Sequence, residues 1–124
     1  MAKPLYHPTT EQIHLPGVLD ALSDPVRLDI VLRLDTQGEA ACSALGDYGS
    51  KTNISYHLAR LREAGVTRTR AEGPFRLISL RRDDLEAKFP GLLDTILASA
   101  AHPAGRAKPA APPASVKPRG RSAA

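Results

Sequence analysis

Residues 50–82 read SKTNISYHLARLREAGVTRTRAEGPFRLISLRR, and this stretch decides the fold. Ile54, Leu58 and Leu61 recur at i, i+4 and i+7, which puts them on one stripe of a helix. Ser50 stands where an N-cap belongs, and Gly65 follows Ala64 as a C-terminal stop. Residues 66–70 and 75–80 read as short strands joined by Ala-Glu-Gly-Pro. The spacing therefore predicts a helix over 50–64, followed at once by a two-stranded hairpin. The segment carries eight bases (Lys51, Arg60, Arg62, Arg68, Arg70, Arg76, Arg81, Arg82) against two acids, Glu63 and Glu72. Positive charge concentrated on a helix and a ribbon suits a DNA groove and its flanking phosphates.

The whole-chain charge of +4 conceals this local feature. The stretch from His102 onward holds five Lys/Arg and no acid, so residues 1–101 have twelve bases against thirteen acids. The body is nearly neutral, and its positive charge is gathered on one segment. A chain of 124 residues makes one small domain with tails. With three Tyr, two Phe and no Trp, its core must come from Leu, Ile, Val and Ala. No apolar run approaches the roughly 18 residues of a membrane span. The start, MAKPLYHPTT, lacks the apolar stretch of a signal peptide. Cys42 is alone, so no internal disulfide forms and a cytoplasmic setting, beside the nucleoid, is expected.

Upstream, residues 1–14 read as an irregular N-terminal arm broken by Pro4 and Pro8. A first helix starts near Leu15. Ser23-Asp24-Pro25 supplies a cap and a first-turn proline for a second helix, densely apolar over 26–34. Residues 39–45 form a short third helix and Gly46-Asp47-Tyr48-Gly49 a turn. After the hairpin, Pro90 separates a short turn at 84–88 from a last helix over 90–99. Residues 101–124, rich in Pro, Ala and bases, cannot offset their ordering entropy and read as a disordered tail. The ordered domain is thus 15–100, mainly α with a two-stranded β wing: a winged helix-turn-helix.

The stripe Ile54, Leu58 and Leu61 holds the 50–64 helix to the body. Its other face presents Ser50, Lys51, Thr52, Asn53, Ser55, Tyr56 and Arg60 to base edges or phosphates. Arg68, Arg70 and Arg76 on the hairpin are expected to clamp flanking phosphates. His57 sits at the edge of the stripe, either touching phosphate or bonded within the body. Leu92, Leu93, Ile96 and Leu97, with Leu15 and Leu19, form more apolar surface than one small core covers, which predicts a second subunit.

ALSDPVRLDIVLRL followed by TNISYHLARLREAGV and a basic hairpin resembles the ArsR-type (arsenical-resistance-regulator-like) winged-helix repressors. The similarity spans roughly residues 15–100. It implies a homodimer paired through its terminal helices, a double-stranded operator of imperfect dyad symmetry, and repression relieved by a signal. Many members sense metal, some through a Cys-x-Cys in the third helix and others through Asp/His pairs in the last. Here the first region reads Ala40-Ala41-Cys42-Ser43-Ala44, and the last helix has Asp94 without a His. One thiol cannot build a three- or four-ligand site. No metal or other cofactor is expected, and the effector is left open. Cys42 is either a redox-sensitive thiol or a small apolar residue of the third helix.

Two other readings compete. One is a winged helix that docks an acidic protein partner instead of DNA. The other is a metal- or redox-sensing repressor. Enzyme chemistry has no support: there is no Gly-rich phosphate loop, no Ser/His/Asp arrangement and no carboxylate pair with a recognisable context.

Overall fold

The computed structural model describes residues 5–102, so most of the arm and domain are visible while nearly all of the tail lies outside the described residues. Helix α1 (Leu15–Leu22) opens with Pro16 in its first turn, and the His14 ring accepts from the Gly17 N–H. Helix α2 (Pro25–Gln37) is capped by Asp24, whose carboxylate accepts from the N–H groups of Val26 and Arg27. Proline in the first position sacrifices no bond, because that N–H has no partner inside a helix. The stripe Ile30, Val31 and Leu34 is buried, whereas Val26, Leu28 and Leu32 are half-buried. Arg27, on the same stripe, is buried too.

The expected third helix over 39–45 is replaced by two different elements. Ala40–Ala41 is a short strand, β1, and Cys42–Tyr48 is a 3-10 helix that takes in most of the expected turn. The reason is non-local. Ala40 and Ala41 pair with Ile78 and Leu77, and Leu45 is fully buried at a kink in the 3-10 helix. Helix α3 (Lys51–Glu63) then starts at Ser50, whose hydroxyl accepts from the Asn53 N–H at 3.1 Å.

Helix α3 ends in a Schellman turn. Gly65 N–H donates to Arg62 O and Val66 N–H to Leu61 O, each at 3.0 Å. The left-handed position falls on Gly65, with φ +86°. Strands β2 (Thr67–Glu72) and β3 (Phe75–Leu80) form the hairpin. Pairing continues to Glu72 opposite Phe75, which leaves a two-residue turn, Gly73-Pro74, where a four-residue loop was expected. The sheet is antiparallel with order β1-β3-β2.

Helices α4 (Arg82–Lys88) and α5 (Leu92–Ala101) close the domain. One core joins Ile13, α1, α2, the inner stripe of α3, Val66, Ile78, Leu85, Leu93 and Leu97. Leu93 and Leu97 therefore fill this chain's own core, which corrects the expectation that they face a partner. Most of the α5 stripe is used internally, since Ile96 also packs against this core and Leu92 is half-buried.

The described part of the N-terminal arm, from residue 5 on, has one 3-10 turn, Thr10–Gln12. Pro8 and Ile13 are buried. Its polar groups tie it to α3, β2 and α4. Tyr6 O accepts from Arg62 Nε, His7 Nε2 from the Thr69 N–H, and Pro8 O from Arg81 Nη1; Thr10 Oγ1 donates to Asp84.

Candidate nucleic-acid interface

Helix α3 divides cleanly. Ile54, Leu58 and Leu61 are buried, and Lys51, Thr52, Asn53, Ser55, Tyr56 and Arg60 are exposed. Tyr56 projects a ring that is 56% exposed. Capping Ser50 is also exposed, with its hydroxyl committed to Asn53 N–H. The face thus offers hydroxyls, one amide and one ammonium on a rigid element, a suitable set for base edges and phosphates.

His57 belongs to the holding side. It is 8% exposed, and its Nδ1 lies 3.3 Å from Arg27 Nη1. A guanidinium can only donate, so Nδ1 accepts and the ring is neutral. Burial pushes the His57 pKa down; Asp24 opposes the shift and the Arg27 charge adds to it. The phosphate-contact alternative for His57 is therefore excluded by its place beneath the helix. Arg27 also donates from Nε to Ala21 O at 2.7 Å and from Nη2 to Asp20 O. One buried cation thus joins the end of α1, the start of α2 and the middle of α3. Sequence reasoning passed over Arg27. The signal was present, since Arg27, Ile30, Val31 and Leu34 share the i, i+3, i+4, i+7 spacing of a buried face.

The basic hairpin is less free than its composition suggests. Arg68 reaches Asp84 at 3.4 Å. Arg70 is held bidentately by Glu39, two bonds of 3.0 Å, and also by Glu72 at 2.6 Å. Arg70 in turn holds the Glu39 carboxyl below its usual range. Arg60 pairs with Asp20 at 3.0 Å. Arg81 is buried against Asp84 and Pro8 O, and Arg82 bridges Asp35 and Asp94. Arg81 and Arg82 are thus structural. Such exposed ion pairs are worth little individually, so Arg60, Arg68 and Arg70 are held only weakly by their carboxylates. Arg76 and Lys51 are exposed, and their side chains make no hydrogen bond or ion pair among the described residues.

Of the remaining surface, Leu15 and Leu19 are exposed, at 40% and 45%. Leu92 and Ile96 are half-buried and line an apolar crease with Val18 and Leu22 of α1. Cys42 is half-buried at the start of the 3-10 helix. No helix among the described residues is long and apolar enough to cross a membrane.

A capped helix held from behind by an apolar stripe and a buried Arg–His contact, followed by a β hairpin, defines a winged helix-turn-helix protein. A family described as a helix-turn-helix domain matches residues 22–70. An uncharacterized HTH-type transcriptional regulator, YceK of Bacillus subtilis (strain 168), is 40% identical over 82 residues, covering 64% of this chain and 82% of that protein. Solved structures that share the fold include two transcriptional regulators. An ArsR family transcriptional regulator is 26% identical with a TM-score of 0.54, over 64% of this chain and 89% of that one. The transcriptional repressor BigR from Xylella fastidiosa is 29% identical with a TM-score of 0.54, over 67% and 82%. The chain belongs to the ArsR-type family of winged helix-turn-helix transcriptional regulators.

Proposed function

We propose that the protein is a dimeric, sequence-specific DNA-binding repressor that places α3 in the major groove and uses the β2–β3 hairpin as a wing. The observation that carries this reading is the exposed polar face of α3, set on a helix whose opposite side is locked to the body. Ser50, Lys51, Thr52, Asn53, Ser55 and Tyr56 are the base- and phosphate-facing groups. Arg60, Arg68, Arg70 and Arg76 supply flanking phosphate contacts, Arg76 directly and the others by exchanging a carboxylate for a phosphate. The repressor role is supported by the kinship with BigR.

Dimerisation is assigned to Leu15 and Leu19 of α1 and to Leu92 and Ile96 of α5, the apolar groups of that surface that stay exposed or half-buried. Two such subunits present their α3 helices to successive major grooves, roughly 34 Å apart along the duplex. Fluorescence anisotropy on a selected duplex tests the placement. Arg76→Ala should weaken binding about equally on all sequences. Tyr56→Ala or Ser55→Ala should instead change base preference, by roughly 1–3 kcal/mol for a good base contact. Unchanged preference in every α3 variant would show that another surface reads the DNA. Sedimentation of Leu19→Glu should reveal a monomer where the wild type is a dimer.

A further inference from the structure

Lys51 and Arg76 line the same cleft, a space of about 520 Å³ between the 3-10 helix, the start of α3 and the hairpin tip. Of the eight bases in residues 50–82, these are the two whose side chains bond to no other described residue. The other six are engaged by carboxylates or, for Arg62, by a backbone carbonyl. No acidic residue lines the cleft. Its walls are apolar, with Ala41, Ile54, Pro74 and Phe75, and Phe75 is 56% exposed. The volume falls in the ordinary range for small-molecule sites, and an apolar lining with a few convergent polar groups is their usual chemistry.

An inorganic anion would satisfy the two cations and leave the apolar walls in water. A neutral apolar molecule would do the reverse. We propose that the cleft binds a small organic anion with a flat apolar body, an aromatic carboxylate. The carboxylate lies between Lys51 and Arg76, and the ring lies against Ile54 and Phe75. Because both cations also belong to the DNA-facing surface, ligand and DNA exclude each other, and the ligand relieves repression by direct competition. The competition rests on the DNA-binding reading above; the ligand site itself does not.

The test uses the full-length chain, isotope-labelled for NMR, without DNA. Benzoate, 2-naphthoate and indole-3-acetate are titrated beside 2-naphthylmethanol and inorganic phosphate. The carboxylates should shift the amides of Ala41, Gly49, Lys51 and Phe75 saturably. 2-Naphthoate should bind roughly tenfold more tightly than its neutral alcohol, a difference lost in Lys51→Gln/Arg76→Gln. The spectrum of that variant reports whether it is folded. Phosphate binding as tightly as the carboxylates makes the cleft a mere anion seat and overturns the proposal. So does equal binding of the alcohol, or no response to any carboxylate at about 10 mM. Displacement of a labelled duplex by 2-naphthoate is then measured separately. Binding in the cleft without displacement overturns the competition, and a chain that binds carboxylates but no DNA overturns the DNA reading alone.

Discussion

Arg27 donates from Nη1 to Nδ1 of His57 at 3.3 Å, and this contact ties the middle of α3 to the junction of α1 and α2. The contact is one of those that hold α3 to the body, opposite its exposed polar face. Arg27→Met removes the donor to His57 and to the carbonyls of Ala21 and Asp20 together. Loss of hydrogen bonds from a buried charged group should cost roughly 1.5–3 kcal/mol. Urea denaturation measures this, and a change below about 0.5 kcal/mol, the scale of an ordinary surface substitution, would contradict the assigned role.

Stability should fall as the solution is acidified below neutrality. Burial holds His57 below 6.5. Burial likewise lowers His7, aided by Arg62, Arg68 and Arg81 and opposed by its bond to Leu5 O. Both rings accept a hydrogen bond in the folded chain, His57 from Arg27 and His7 from the Thr69 N–H. The unfolded chain therefore binds protons first. The contribution is complete above pH 6.5 and is lost as pH falls from there through the folded pKa values. Melting temperatures should drop as the pH is lowered below about 6.5, and the drop should shrink in His7→Gln/His57→Gln. A variant with the wild-type pH slope would remove these rings from the account. Asp84 and Glu39, lowered by their arginine partners, act only in the more acidic carboxylate range.

The wing holds its charge in reserve. Glu39→Gln removes one of the two carboxylates that engage Arg70. DNA affinity should rise a few-fold, and the log–log salt slope should steepen by up to about 0.9 as one more phosphate is neutralised. Unchanged affinity and slope would mean that Arg70 lies away from the DNA backbone.

Gly65 is the joint between α3 and the wing. At φ +86°, a Cβ there would lie 2.4 Å from Cγ1 of the buried Ile13. Gly65→Ala should therefore cost more than the roughly 1–2 kcal/mol of left-handed backbone alone. Adding Ile13→Ala to it should recover part of the loss through relief of the clash. A double-mutant cycle in urea checks this, and strictly additive losses would contradict the contact.

The local features of the fold were legible in the sequence. The Ile54–Leu58–Leu61 stripe, the Ser50 cap, the Gly65 stop, the Asp24-Pro25 start and the break at Pro90 all work within a few residues of themselves. What escaped the reading is what distant segments do to one another. Strand β1 exists because Ala40 and Ala41 meet Ile78 and Leu77, and two alanines carry no strand signal of their own. Ile13 becomes core only where the arm crosses Gly65. Counting bases along residues 50–82 placed them on one segment, but could not show that Arg70 meets Glu39 or that Arg82 meets Asp35 and Asp94. Leu93 and Leu97 had the right period for a dimer stripe, and only the packing assigns them to the monomer core.

Selection from randomised duplexes at moderate salt tests the central claim most directly. The full-length protein should enrich an inverted repeat whose half-site centres lie about one helical turn, or a small multiple of it, apart. Tyr56→Ala should change the enriched bases while keeping the spacing. No enrichment over the starting pool would contradict sequence-specific DNA binding through α3.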